Sequence, residues 1–209
     1  MTTPKISCKS ISKKYLRQWI FRGLSYTFES GKSYAITGNN GSGKSTLIKI
    51  LSGSVLPTKG KVDYIQEDGN IISDDKVFEK IVYAAPYFDL IEEFTLLEAL
   101  EFHFSFKPVV RNLDLMRLPE KMLLDGAQNK AIKHFSSGMK QRLKLGLAFY
   151  SDVPVMFLDE PCSNLDETGI NWYKEEILKI HNERLIIVSS NQKFEYEFVD
   201  FVLNVMDYK

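Results

Sequence analysis

The residues with the clearest chemistry are Gly38-Asn39-Asn40-Gly41-Ser42-Gly43-Lys44-Ser45-Thr46. They follow the apolar run Tyr34-Ala35-Ile36-Thr37 and lead into Leu47-Ile48-Lys49-Ile50-Leu51. A buried strand, a glycine-rich loop and a helix start are the context that a phosphate-binding loop needs. The glycines let the backbone curl until several N–H groups converge on one anion. The helix start behind them adds its dipole and its own free N–H groups. Lys44 is placed to reach the terminal phosphates of a nucleoside triphosphate, and the Ser45 hydroxyl to ligate Mg²⁺.

A second chemical centre is Asp159-Glu160, at the end of the apolar run Val155-Met156-Phe157-Leu158. One carboxylate there can hold a Mg²⁺ shell through water while its neighbour orients or deprotonates an attacking water. Around these centres the chain has 209 residues, 44% hydrophobic and 26% charged, which suits one globular domain with a full core. Lys and Arg balance Asp and Glu at 27 each, and no basic block stands out, so nucleic acid is not an expected partner. Cys8 and Cys162 lie far apart without metal-ligand spacing and read as reduced thiols. Residues 1–5 lack an apolar signal region, and the apolar runs are too short to span a bilayer. Any membrane role is therefore expected to come through a partner.

The elements that must position these groups follow from pattern. Residues 5–12 and 24–29 alternate loosely and are predicted as strands of an antiparallel edge. The helix after the loop is expected to stop near Gly53, with a hairpin over 61–66 and 70–72 around Asp68-Gly69. Ile81 to Ala85 reads as a buried strand stopped by Pro86. Thr95 and Glu98 form a capping box that opens a helical region over 94–150. Within it, 111–135 reads as short helices broken near Asp125-Gly126, and Ser136-Ser137-Gly138 caps a helix to Tyr150. Val155–Leu158 and Leu185–Val188 read as parallel strands, with a helix over 167–182 between them and a last strand over 201–206. This alternation predicts an α/β sheet with an inserted helical region.

Taken in order, the phosphate loop, Ser136-Ser137-Gly138-Met139-Lys140-Gln141-Arg142, Val155 to Pro161 and Ser163-Asn164-Leu165-Asp166 resemble the ATP-binding subunits of ATP-binding-cassette (ABC) transporters, over nearly the whole chain. The resemblance implies a P-loop NTPase (RecA-like) α/β core, formed by 1–93 and 151–209, with an antiparallel β edge sheet. An inserted α-helical subdomain over 94–150 completes one 1–209 ABC ATPase domain. It implies ATP and Mg²⁺ as ligands, with Ser45 and Asp159 at the metal and Glu160 as catalytic base. Gly38 to Thr46 would bind the nucleotide phosphates, and Tyr15 would stack on adenine. Ser136, Ser137 and Gly138 would touch the nucleotide of an opposing subunit, and Asp166 would lie in the loop that meets the symmetry mate. The implied partners are a second ATPase subunit, in a homodimer or heterodimer, and a separate transmembrane subunit. The implied location is cytoplasmic, peripheral on the inner face of the cell membrane. A soluble ABC-type ATPase and a hydrolysis-poor nucleotide switch remain as other readings.

Three departures from the family pattern bear on rate. Pro86 stands where the family has a metal-ligating glutamine. The family's histidine at the strand end after the glutamate falls on Ser190 or Asn191, and neither carries a cation. Ser137 and Met139 replace a glycine and a glutamine of the signature. The aromatic–apolar run Tyr87-Phe88-Asp89-Leu90-Ile91 occupies the position where family members receive the membrane subunit. His103, His134 and His181 fall outside these motifs and read as structural or solvated.

Overall fold

The computed structural model describes residues 3–110 and 113–209. Its centre is a five-stranded parallel sheet built from β3 (Ser33–Thr37), β5 (Ile81–Ala84), β6 (Val155–Asp159), β7 (Leu185–Ser189) and β8 (Phe201–Asn204). The strand order is β5-β6-β7-β3-β8. Every residue of β6 and β7 is buried, as expected of strands covered on both faces.

Successive side chains leave a strand on opposite faces, and the two cores of the protein follow that alternation. Val155, Phe157, Leu185 and Ile187 pack into one core with Tyr34, Ile36, Leu47 and Ile48. Met156, Leu158, Ile186 and Val188 pack into the other with Leu100, Leu143 and Trp172. Each such side chain contributes about 1.5–3 kcal/mol on burial, so the sheet is the mechanical base of the site.

The first core is closed by a three-stranded antiparallel sheet, ordered β2-β1-β4, from β1 (Lys5–Tyr15), β2 (Gln18–Phe28) and β4 (Lys59–Ile65). The expected edge strands are thus longer than 5–12 and 24–29. Lys14 pairs with Trp19 and Tyr15 with Gln18, and the chain reverses between them with Leu16 at φ 52°. The hairpin expected around Asp68-Gly69 is reduced to a single bridge, Ile65 to Ile71, because the Gln66–Gly69 turn consumes the intervening residues.

The second core is closed by helices. These are α3 (Leu96–Phe106), α4 (Leu118–Lys121) and α5 (Ser137–Phe149) of the helical region, whereas α1 (Lys44–Leu51) and α2 (Asp74–Lys80), which precede it, pack into the first core. α6 (Glu167–Ile180) joins β6 to β7. The capping box at the start of α3 is formed, with Thr95 accepting from the Glu98 N–H and Glu98 accepting from the Thr95 N–H. Over 113–135 the chain makes short helical turns at 115–117 and 132–134 flanking α4, with a break at Leu123 and Gly126, both at positive φ. The first two residues of the expected 111–135 segment lie outside the described ones. The last strand ends at Asn204 rather than 206, because the Asn204 side chain accepts from the Met206 N–H and starts a 3₁₀ turn.

His103 ties α3 to the loop that leads into β6. Its Nε2 lies 2.8 Å from Ser151 Oγ, and that hydroxyl itself donates to Leu147 O at 2.6 Å, so the histidine is the donor in the pair. Burial, with Lys107 nearby, depresses its pKa from 6.5 to about 4. A depressed histidine contributes stability that is present above its unfolded value and lost as pH falls through the folded one. The melting temperature should therefore decline between pH 6.5 and about 4 more steeply than in His103→Gln, which keeps a donor toward Ser151 but does not titrate. Parallel pH-dependent melts of the two proteins that fall together would contradict this role.

Candidate functional site

The phosphate loop sits at the carboxyl end of β3, between β7 and the edge strand β8, and the carboxyl ends of strands are where open α/β sheets hold their ligands. Gly38 adopts φ 141° and Gly43 φ 108°. A Cβ at Gly38 would stand 2.7 Å from Ser42 Oγ, and one at Gly43 would stand 2.3 Å from Ile20 Cγ2, so both positions require glycine. The Ser42 N–H donates to Asn39 O at 2.9 Å and closes the turn that aims the loop at the start of α1.

Lys44 is 6% exposed, and its ammonium donates to Gly38 O at 2.8 Å and Asn39 O at 3.3 Å. Burial lowers its pKa, while Glu160 and Asp159 work in the opposite direction. The loop thus holds its lysine folded inward, above a cavity of about 220 Å³ lined by Gly41, Gly43, Ser45, Thr46 and Glu160. A neighbouring cavity of about 440 Å³ shares Asn40 and Glu160 with it and adds Ser163, Ser190, Asn191 and Glu195.

Asp159 closes β6 at 1% exposure. One of its oxygens, Oδ2, accepts from the Tyr87 hydroxyl at 2.8 Å. The other, Oδ1, is buried with no hydrogen-bond partner among the described residues, and so is Ser42 Oγ in the loop. A buried carboxylate oxygen without a partner is costly unless a ligand serves it, and oxygen donors of this kind suit Mg²⁺. The residues therefore fit a magnesium ion. Ser45 and the water-mediated reach of Asp159 would hold it, and when bound it would neutralise phosphate charge. The Tyr87 phenol is pushed up by burial and by the nearby Asp159, so it keeps its proton and donates.

Glu160 follows at φ 44°, a left-handed conformation that costs a non-glycine residue of order 1–3 kcal/mol. Its N–H donates to Ser189 O at 2.8 Å, which fixes the turn out of the sheet and leaves the side chain exposed beside the loop. Among the described residues, its carboxylate has one hydrogen-bond partner, Ser163 Oγ at 3.5 Å.

Sequence reasoning left Ser190 and Asn191 as alternatives for the strand-end position, and the structure separates their directions. The Ser190 N–H donates to Ile36 O at 3.2 Å, but its hydroxyl turns inward and donates to Glu195. The Asn191 amide instead donates to Asn40 Oδ1 of the phosphate loop at 2.7 Å. Asn191 is the side chain that faces the loop.

Glu195 was missed as a site residue. It is 3% exposed, accepts from the Cys162 N–H at 2.8 Å, and its backbone carbonyl accepts from the Tyr173 hydroxyl at 2.7 Å. Its only sequence signal is an acid among aromatic residues after a strand, and its partners lie 33 and 22 residues away.

Of the remaining expected residues, Ser136 caps α5 by accepting from the Met139 N–H at 3.2 Å, and Ser137 is the first residue of that helix. Gly138 approaches Asn164 O so closely that a Cβ would stand 3.0 Å from it, which joins the start of α5 to the loop at 163–166. Asp166 caps α6, accepting from the Gly169 N–H at 2.8 Å. Tyr15 is exposed at the end of β1 with Lys13 Nζ 4.9 Å from its ring centroid, and it does not line the loop cavity, which Ile20 does.

Residues 21–163 match the family model for ABC transporters, more than half of the chain. The chain belongs to the ABC transporter family. It is an ATP-binding subunit of that family, and its enzymatic activity is that of an ATPase. It is 28% identical to the uncharacterized ABC transporter ATP-binding protein YybJ of Bacillus subtilis, over 96% of this chain and 92% of that one. It is 29% identical to the cytochrome c biogenesis ATP-binding export protein CcmA of Haemophilus influenzae, over 98% and 97%. In fold it resembles a dimeric post-hydrolysis ATP-binding cassette bound to ADP and phosphate, with a TM-score of 0.80 at 21% identity over 95% and 93% of the two chains.

The pKa of Glu195 is raised by burial, against the lowering effect of its bonds to Ser190 and Cys162. A raised carboxyl contributes stability that is fully present below its unfolded value, 4.5, and is lost as pH rises through the folded one. The melting temperature of the cassette relative to Glu195→Gln should accordingly fall as pH rises from 4.5 toward neutrality. A constant difference across that window would mean that burial does not raise this carboxyl in the folded protein.

Proposed function

We propose that the cassette binds MgATP at a head-to-tail dimer interface and uses its hydrolysis to drive a separate membrane subunit. The observation that carries this reading is the convergence of the phosphate loop and the exposed Glu160 on one cavity, with the half-satisfied Asp159 directly before Glu160 at the end of β6. In this reading Lys44 and the loop N–H groups bind the phosphates, Ser45 and Asp159 serve Mg²⁺, and Glu160 takes the proton of the attacking water. Tyr15 stacks on the adenine. Ser136, Ser137 and Gly138 reach the nucleotide of the opposing subunit, and Asp166 lies in the loop that meets it. Residues 94–150 act as a helical arm on a core made of 1–93 and 151–209.

A membrane partner is supported by two features. One relative is by its printed name an export protein. The run from Tyr87 to Ile91 opens onto a cavity of about 270 Å³ lined by Leu90, Ile91, Phe94, Phe102 and Phe106, an apolar seat for a helix of another chain. Among the described residues, no helix is long and apolar enough to cross a membrane. The location that follows is peripheral, on the cytoplasmic face, through that partner.

The test is nucleotide-dependent dimerisation. Glu160→Gln keeps shape and ATP binding but removes the base, so ATP-bound dimers should accumulate in size-exclusion chromatography with ATP. A mutant that stays monomeric at high protein and ATP concentration contradicts the base role or homodimerisation. Mixing with a second ATPase subunit then separates those two causes. Co-expression with the genomic neighbours should bring the cassette to the membrane fraction.

We further infer slow intrinsic hydrolysis. Among the described residues, Lys44 is the cation held at the loop, and the strand-end side chain that faces it, Asn191, is neutral. Loss of one preorganised donor at a transition state costs about 10²–10³ in rate. Asn191→His, which aims an imidazole at the loop, should raise the single-turnover rate on the order of tenfold or more. Ser190→His, aimed at Glu195, should not. A wild-type rate typical of the family with no gain from Asn191→His would overturn this.

A further inference from the structure

The position where the family resemblance led us to expect a metal-ligating glutamine holds Pro86, yet the metal carboxylate is not left alone. Pro86 lies in a turn after β5, closed by the Phe88 N–H donating to Ala85 O at 3.2 Å. That turn swings the next side chain, Tyr87, back over the end of β6. Its hydroxyl donates to Asp159 Oδ2 at 2.8 Å, across 72 residues of sequence. Tyr83, at the third position of β5, donates in turn to the Tyr87 oxygen, because the single Tyr87 proton is committed to the carboxylate. On the other side, Lys49 of α1 holds its ammonium 4.0 Å from the Tyr87 ring centroid. The ring is therefore clamped between the helix that begins at the phosphate loop and the carboxylate at the end of β6.

This clamp divides the labour of Asp159. One oxygen is held by Tyr87, and the other, Oδ1, stays buried and unpartnered. A carboxylate fixed by one oxygen presents the other in a single orientation, which is the service that outer partners give to metal-bound groups. We propose that Tyr87 is a positioning residue of the magnesium site, orienting Asp159 through its hydroxyl and standing in for the side chain that Pro86 lacks. The proposal rests on the reading of Asp159 as the carboxylate of the metal shell.

The ring is also 42% exposed and opens the run that leads into the apolar cavity of Leu90 and Phe94. The metal carboxylate thus makes direct contact with the first residue of that run, with no intervening side chain.

The experiment uses Mn²⁺ as the probe, with the full chain and the non-hydrolysable analogue AMP-PNP, and reads free Mn²⁺ by electron paramagnetic resonance. Tyr87→Phe keeps the ring and its contact with Lys49 and removes only the hydroxyl. It should raise the Mn²⁺ dissociation constant roughly tenfold or more, in the range seen when an outer partner of a metal ligand is removed. Binding of AMP-PNP in EDTA should stay at its wild-type value even where the melting temperature falls because Asp159 has lost a donor, and a merely structural role would not confine the binding loss to the metal. Asp159→Asn is the second arm and should weaken Mn²⁺ at least as much. An unchanged or tightened Mn²⁺ constant in Tyr87→Phe, with Asp159→Asn weakened, overturns the role of Tyr87 alone. An unchanged constant in Asp159→Asn overturns the metal reading beneath it.

Discussion

The site depends on how the fold accommodates a carboxylate at the end of a fully buried strand. Asp159 is 1% exposed, and an ionised acid in that position is expensive unless opposite charge or donors compensate it. The compensation comes from three elements that have no contact in sequence. Tyr87 supplies a donor from the turn after β5, Lys44 a positive charge from the start of α1, and the strand pairing with Ser189 fixes the backbone. The parallel sheet is what allows this, since β3, β6 and β7 all end at the same edge and deliver the loop, the acids and Ser190 there together. The two cores on its faces hold those ends in register, so local strain can be stored at the edge without unfolding it.

Glu160 is where that strain is visible. Its φ of 44° lifts the side chain out of the pleat just as the strand ends, while Asp159 keeps pointing into the sheet edge. Two adjacent acids thereby take different environments, one buried and hydrogen-bonded, the other exposed and nearly free of partners. That separation is what a metal-binding acid next to a proton-accepting acid requires, because the same surroundings could not suit both. The loop that follows is tied back at Cys162, whose N–H donates to Glu195, and at Asp166, which caps α6. Motion of Glu160 is therefore limited from both ends.

The phosphate loop and β6 were legible in sequence because their signals are local: glycines at fixed spacing, and an apolar run ending in acids. The capping box of α3 and the cap at Ser136 were legible for the same reason. α2 was not anticipated, since Val77 is its single buried residue and seven residues with one apolar anchor carry no period. The β1–β2 hairpin was under-read because its tip, from Lys13 to Gln18, is polar and its reversal uses Leu16 in a left-handed conformation that no residue type announces. Tyr87 and Glu195 were invisible as site residues because their meaning lies in contacts across 72 and 33 residues. Tyr87 had been read only as part of an apolar run, and the direction of its hydroxyl is a tertiary fact.

Ser190 and Glu195 are best understood as one unit. A buried acid shortly after a strand end needs a donor close by, and the Ser190 hydroxyl provides it at one of the two positions on which the family's histidine falls. Once Ser190 is committed inward, the side chain facing the phosphate loop is the next one, Asn191, and it is anchored by hydrogen bonding to Asn40. The neutral amide can bridge the loop to the end of β7, but it adds no charge to the cavity. What the arrangement gains is rigidity, because Glu195 joins the end of β7 to the segment after Glu160 through Ser190 and the Cys162 N–H. The same pair of residues thus turns the Ser190 hydroxyl away from the loop and ties down the segment that follows Glu160. On the proposed reading, the loop still binds the phosphates, while the charge that would favour cleavage is left to Lys44 and to what an opposing subunit would bring.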